Sequence, residues 1–196
     1  NIIGWVKGGL GFTVILTSMF IAAILGSASA SAAIIGMVMI PEMLERGYKH
    51  DFASALVASA GAIGPIIPPS IPLIVYGVIA QVSVTKLFVA GYVPGILMGG
   101  IFMIYTYSHA RKYNYPSEKA PTLKGLVLSF YQAIPTLMLP IIIMGGILGG
   151  FFTPTEAGVV GVLYSLLIGL TLYRKELDYK LLPQIFIKAA QNTAMV

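Results

Sequence analysis

Residues 58–72 read Ala58-Ser59-Ala60-Gly61-Ala62-Ile63-Gly64-Pro65-Ile66-Ile67-Pro68-Pro69-Ser70-Ile71-Pro72. Pro65, Pro68, Pro69 and Pro72 crowd the end of this stretch. Each lacks an amide hydrogen, and its ring clashes with the preceding turn, so no regular helix runs through them. Yet the block lies inside an uncharged run, residues 52–85, bounded by Asp51 and Lys86. A membrane-spanning helix needs roughly 20 apolar residues; this run has 34, too many for one simple span and too few for two with a turn. It predicts two half-helices flanking irregular backbone at membrane depth. Lipid offers no hydrogen-bond partners, so such backbone is tolerated only where protein buries it or where it lines a cavity. The break therefore marks a functional site.

Composition agrees with that placement. Of 196 residues, 57% are hydrophobic and 10% charged, and the mean hydropathy is +0.89. A soluble domain carries about 25% charged residues, and disorder requires low hydrophobicity with high charge. Both are excluded, which leaves an all-α polytopic membrane protein. No cysteine is present, so disulfides and thiolate metal sites are ruled out. The net charge of +5 fits basic cytoplasmic loops, with no nucleic acid as partner. The chain opens at Asn1 without a signal-like segment, and it is expected to be an internal piece of a longer polypeptide.

A second uncharged run, residues 8–41, is interrupted by the small, hydroxylated string Gly26-Ser27-Ala28-Ser29-Ala30-Ser31. Runs 87–110, 125–155 and 157–173 follow. If 8–41 enters and leaves on one side as a re-entrant hairpin, and each later run crosses once, Lys86 stands alone opposite the remaining eleven Lys and Arg residues. A full crossing would move Lys7 across as well, so the positive-inside rule favours the hairpin, with the basic face cytoplasmic. Three regions result: 1–85 with the hairpin 8–41 and the broken helix 52–85, membrane helices over 86–173, and a tail over 174–196. In the tail, Leu177, Leu181, Leu182, Ile185, Phe186 and Ala189 recur at helical spacing. They predict an amphipathic helix along the interface, with Pro183 kinking it or marking its first turn. Docking on another protein segment is the alternative.

Little in the chain suits enzyme chemistry, and no catalytic residue is assigned. His50 and His109 have no acidic partner at metal-ligand or triad spacing and read as solvated flanking residues. Thr153-Pro154-Thr155-Glu156 reads as a structural cap, with Thr153 as N-cap, proline in the first helical position and Glu156 reaching back. An acid at membrane depth is also a candidate proton relay. The glycines Gly91, Gly95 and Gly99, and likewise Gly145, Gly146, Gly149 and Gly150, read as helix packing. The two interruptions are different. Freed carbonyls and serine hydroxyls offer a hard cation neutral oxygen ligands, and half-helix N-termini attract anions.

The strings Gly26-Ser27-Ala28-Ser29-Ala30-Ser31-Ala32-Ala33 and Ile40-Pro41-Glu42-Met43, with Arg46-Gly47-Tyr48, closely resemble the large membrane (M) subunit of tripartite ATP-independent periplasmic (TRAP) transporters. So do the proline-rich block 58–72, Ala90-Gly91-Tyr92-Val93-Pro94-Gly95 and Phe152-Thr153-Pro154-Thr155-Glu156-Ala157. The resemblance covers nearly the whole chain. It implies an elevator-type secondary transporter with inverted repeats in the bacterial inner membrane, driven by a Na+ gradient. The implied substrate is a small organic acid of the C4-dicarboxylate, keto acid or sialic acid class. The implied partners are a periplasmic substrate-binding protein, a small four-helix membrane subunit, separate or fused, and the membrane lipid.

Carried over by position, Ser27 and Ser29 match one sodium site, and Gly61, Gly64 and Pro65 its other wall through backbone carbonyls. Ser59, Pro69 and Ser70 are looser candidates for substrate contacts, and 174–196 matches an arm helix. Such a subunit is about twice this length, with a second hairpin and a second broken helix, so this segment alone is not expected to transport. The alternatives are another sodium/anion elevator symporter without a binding protein, or a non-transporting membrane scaffold.

Overall fold

The computed structural model describes residues 6–117, 123–174 and 179–194. Among these, every regular element is helical: α1 (Gly9–Leu25), α2 (Ala28–Glu45), α3 (His50–Gly61), α4 (Ile71–Ile79), α5 (Val84–Lys112), α6 (Leu123–Leu148), α7 (Pro154–Thr171) and α8 (Leu182–Ala194), the last led in by a 3-10 turn at Tyr179–Leu181. Helices α2, α5, α6 and α7 are each long and apolar enough to cross a membrane. This is the all-α polytopic membrane protein that the charge pattern predicts.

Helices α1 and α2, separated only by Gly26-Ser27, pack along each other as a hairpin. Gly26 adopts φ +58°, a left-handed conformation that costs a side chain-bearing residue roughly 1–2 kcal/mol. The base of the hairpin sits beside the C-terminal end of α5. Lys7 Nζ donates to Asn114 Oδ1 at 2.8 Å, and the Tyr48 and Tyr115 rings stack at 4.2 Å. Lys7, Arg46, Lys49, Arg111 and Lys112 thus collect at one end of the bundle, while Lys86 lies at the other, in the first turn of α5. Of the other expected basic-face residues, Lys119, Lys175 and the side chain of Lys124 fall outside the described residues, as does Leu177 of the tail.

The boundaries differ from the uncharged runs in a consistent way. Helix α2 continues through Pro41 to Glu45, and Arg46 closes it with an ion pair to Glu42 at 2.6 Å. Helix α4 stops at Ile79, and α5 starts at Val84, ahead of Lys86. Charges end hydrophobic runs; they do not end helices that emerge into water.

One face of α2, formed by Ser31, Ile35, Met39 and Met43, is buried against α1 and α3. Lipid weakens the hydrophobic drive between helices, so close approach of small residues carries much of the packing. Ala28 and Ala32 accordingly meet Gly61 of α3. Helix α5 presents its glycines to the same unit. A Cβ on Gly91 would lie 2.5 Å from the Ile66 carbonyl oxygen, and one on Gly95 2.5 Å from Ile67 Cγ1. The stripe is a packing surface, as its spacing predicts, but only Gly99 packs on a straight helix, at Met19 of α1, while Gly91 and Gly95 pack on the irregular break.

The other glycine cluster is a correction. Gly145 has open space around it, while Gly149 and Gly150 turn the chain so that the Phe151 and Phe152 amides bond back to the Gly146 carbonyl. Phe152 then folds onto Gly146. The cluster makes a tight exit from α6 rather than a helix–helix contact. Helices α6 and α7 form a second hairpin, pinned where the Tyr164 hydroxyl donates to the Pro135 carbonyl at 2.8 Å. They meet the first unit through a small cluster of Phe88, Met144, Ile147 and Ala157. In α8, Pro183 occupies the first turn, and Leu182, Ile185, Phe186 and Ala189 face a cavity of about 550 Å³ bounded by α6, α7 and the hairpin tip.

Candidate functional site

The two interruptions come together. The tip of the α1–α2 hairpin lies against the break between α3 and α4. A Cβ on Gly26 would sit 3.1 Å from both the Pro69 carbonyl oxygen and the Ile71 amide nitrogen. A Cβ on Gly64 would sit 3.1 Å from the Gly61 carbonyl oxygen and 3.2 Å from that of Ser27. A side chain at either glycine would press on backbone at less than ordinary contact distance, so glycine suits this close approach. Two carbonyl oxygens, one from each interruption, therefore converge on a single point beside Gly64.

The break is ordered by its own bonds. After Gly61 the chain winds through tight turns, with the Gly64 amide donating to the Gly61 carbonyl at 3.0 Å and the Ile66 amide to Ile63 at 2.9 Å. Pro68-Pro69 is a cis peptide. Fully buried Ser70 then latches the two sides: its hydroxyl donates to the Pro65 carbonyl and accepts from the Leu73 amide, capping α4. With four prolines removing donors, this one hydroxyl satisfies a carbonyl on one side of the break and an orphan amide on the other.

The hairpin tip is satisfied differently. Ser27 is the N-cap of α2 but makes no side-chain cap bond. Its hydroxyl lies 3.4 Å from that of Ser29, while its carbonyl accepts from the Ser31 amide at 3.1 Å. The amides of Ala28, Ser29 and Ala30 have no carbonyl one turn earlier in the helix to bond. Helix ends of both signs meet here: the amide ends of α2 and α4 beside the carbonyl ends of α1 and α3. Each carries roughly half an elementary charge of the matching sign. Among the described residues no three His, Cys, Asp or Glu side chains cluster as metal ligands. The oxygens gathered at this point are neutral carbonyls and hydroxyls.

Of the residues selected from the sequence, Ser27, Gly61, Gly64, Pro65, Pro69 and Ser70 are gathered at the tip and break, with Ser29 at its edge. Ser59 is not among them. It is exposed and lines a different cavity, between α3 and α5. Ser70 carries a structural bond at each of two partners, and the Pro65 carbonyl already receives one of them. Ser31 was not selected, yet its hydroxyl is buried without a partner one turn into α2. Its signal was available, because Ser27 and Ser31 are four apart and share a helix face. Thr153 and Glu156 lie away from this site and form a reciprocal capping box, in which the Glu156 carboxylate accepts from the Thr153 amide at 2.8 Å and hydroxyl at 2.9 Å.

The histidines separate. His50 is exposed, as expected of a flanking residue. His109 is not solvated in that way: it stacks on Phe52 at 4.0 Å, and its Nδ1 is buried. Phe52 and His109 are brought together by the packing of α3 on α5, which local sequence does not reveal.

Comparison with known proteins matches the sequence to one family. The family model for the DctM component of tripartite ATP-independent periplasmic transporters matches residues 1–196. A putative TRAP transporter large permease protein of Haemophilus influenzae is 44% identical over 196 residues, covering 100% of this chain and 46% of the relative. The isethionate TRAP transporter permease protein DctMQ of Oleidesulfovibrio alaskensis is 44% identical over 197 residues, covering 100% of the chain and 31% of the relative. The 2,3-diketo-L-gulonate TRAP transporter large permease protein YiaN of Escherichia coli is 40% identical over the whole chain and 46% of its own length. The chain thus spans about half the length, or less, of the relatives it matches. These relatives are permeases, which move solutes without covalent chemistry, and the chain is not an enzyme. It belongs to the DctM family, the large membrane component of TRAP transporters.

Proposed function

We propose that this chain supplies the first half-site of a sodium-coupled permease that takes up a small organic acid delivered by a periplasmic binding protein. The observation that carries the reading is the convergence of the Ser27 and Gly61 carbonyls beside Gly64, where a two-residue turn and a proline-rich break touch. Sodium is a hard cation that takes several oxygen ligands, and broken helices near the membrane midplane supply them in secondary transporters. Ser27 and Ser29 hydroxyls and the carbonyls of Gly61, Gly64 and Pro65 are the proposed ligands. The free amides at the start of α2 are the proposed contact for the substrate carboxylate.

Depth supports a re-entrant path for the hairpin. The break meets α5 at Gly91, seven residues after Val84, so the tip stops about 10 Å short of that end of α5. The short helix α4 covers the remaining distance. Relatives are named for isethionate, diketogulonate, sialic acid and C4-dicarboxylates, which share an anionic head on a small polar body. The proposed class is therefore small organic acids. The remaining parts of the proposal are inner-membrane location and partnership with a small membrane subunit, fused or separate, and with a periplasmic binding protein.

The test is uptake by the full-length permease, reconstituted with its small subunit and binding protein in proteoliposomes. Flux should require both an inward Na+ gradient and the binding protein. Flux indifferent to both overturns the reading.

A further inference from the structure

At the end of α3 and α5 opposite the break, a cavity of about 640 Å³ opens between the two helices. Its inner wall is apolar apart from the Ser59 hydroxyl, with Leu56 from α3 and Ile101 and Phe102 from α5. Its middle is aromatic: Phe52 and His109 stack at 4.0 Å with their planes 3° apart, and Tyr105 leans on both. Its mouth carries Lys49, Asp51 and Tyr113. Lys49 Nζ rests 4.2 Å from the centre of the Tyr113 ring, and Lys112 Nζ 5.7 Å from the same ring.

The Tyr113 ring matters for charge. An aromatic face attracts an ammonium but brings no net charge, so it holds both lysines in place without neutralising them. Neither lysine pairs with a carboxylate among the described residues. Asp51 lies in the first turn of α3, where the helix dipole favours it. The wall also holds an imidazole nitrogen, His109 Nδ1, buried with no hydrogen-bond partner.

From mouth to interior the cavity grades from cationic through aromatic to apolar, and the mouth lies at the end where Lys7, Arg46, Lys49, Arg111 and Lys112 collect. A freely soluble anion has no use for the apolar depth; an amphiphile with an anionic head uses the whole length. We infer that this cavity holds an anionic phospholipid, its phosphate held by Lys49 at the mouth, with Lys112 adding positive charge from beside Tyr113, and its hydrocarbon laid against Ile101 and Phe102. Basic residues at a membrane surface each strengthen binding of anionic lipid by about fivefold. The inference uses the membrane placement of the chain and none of its transport chemistry. Its readout is lipid retention, so its failure and that of the transport reading are told apart.

The experiment is native mass spectrometry of the detergent-purified full-length permease titrated with phosphatidylglycerol, with phosphatidylcholine as the zwitterionic comparison and inorganic phosphate as competitor. Phosphatidylglycerol retention should fall about fivefold in Lys49→Gln and about 25-fold in Lys49→Gln/Lys112→Gln, and stay unchanged in Lys86→Gln at the other end. Ala55→Trp fills the cavity without altering charge, and it should lose the lipid as well. Each variant should melt within a few degrees of wild type. Undiminished retention in the double variant, or in Ala55→Trp, overturns the site. So does equal retention of phosphatidylcholine, and displacement by inorganic phosphate assigns the mouth to a free anion and overturns the lipid.

Discussion

The chain interrupts its helices twice at one place, and the two interruptions are built in opposite ways. At Gly26-Ser27 the chain reverses with a single left-handed glycine, and the N-cap hydroxyl that follows makes no cap bond. Between Gly61 and Ile71 the chain carries on through cis Pro68-Pro69 and several tight turns, latched by a fully buried serine. The two-residue reversal adds almost no backbone of its own beyond the ends of α1 and α2. Passage through the membrane with irregular backbone strands many backbone groups, and each must find a partner inside the protein. At the tip the Ser27 and Ser29 hydroxyls meet only each other, at 3.4 Å, whereas the Ser70 hydroxyl bonds backbone on both sides of the break. That contrast gives Ser70 to the fold and is the basis on which Ser27 and Ser29 are proposed as ligands.

Substitutions can break this comparison. The largest effect is expected where α5 supports the break: in Gly91→Val the first added carbon alone would press to 2.5 Å from the Ile66 carbonyl. Overpacking of this kind costs about 1–3 kcal/mol, read as a lowered melting temperature of the full-length permease in detergent. A melting temperature equal to wild type would show that the break yields. Gly26→Ala comes next, at about 1–2 kcal/mol for a left-handed alanine, with the Pro69 carbonyl 3.1 Å away adding to it.

Ser70→Ala removes both the latch and the cap, and it should cost about 1 kcal/mol. Ser27→Ala is the matched substitution at the other N-cap, and with no cap bond to lose it should change stability by less than about 0.5 kcal/mol. If Ser27→Ala proved as costly as Ser70→Ala when sodium is absent, the division between ligand serine and structural serine would collapse.

Much of this was legible in the sequence because it is local chemistry. Prolines at 65, 68 and 69 keep the chain out of a helix between Gly61 and Ile71, Thr153-Pro154-Thr155-Glu156 carries its own cap, and Pro72 and Pro183 fit first turns. What stayed hidden depends on which segments meet. The glycine stripe of α5 announced a close neighbour but not that Gly91 and Gly95 would meet the Ile66-Ile67 backbone and side chains of the break. Ser59 and Ser70 looked alike as hydroxyls flanking the break, yet one faces an unrelated cavity and the other is sealed within the fold. His109 read as a solvated residue until Phe52, far away in the chain, supplied the ring beneath it.

The central claim is that the tip of one interruption and the backbone of the other form a sodium site. Its most direct measurement is the melting temperature of the full-length permease in sodium and in choline, for wild type and for Ser27→Ala/Ser29→Ala. The account predicts that wild type is stabilised by sodium, and that the double variant loses much of that gain while melting with wild type in choline. An equal fall in both salts, or a sodium gain undiminished by the substitutions, would contradict it.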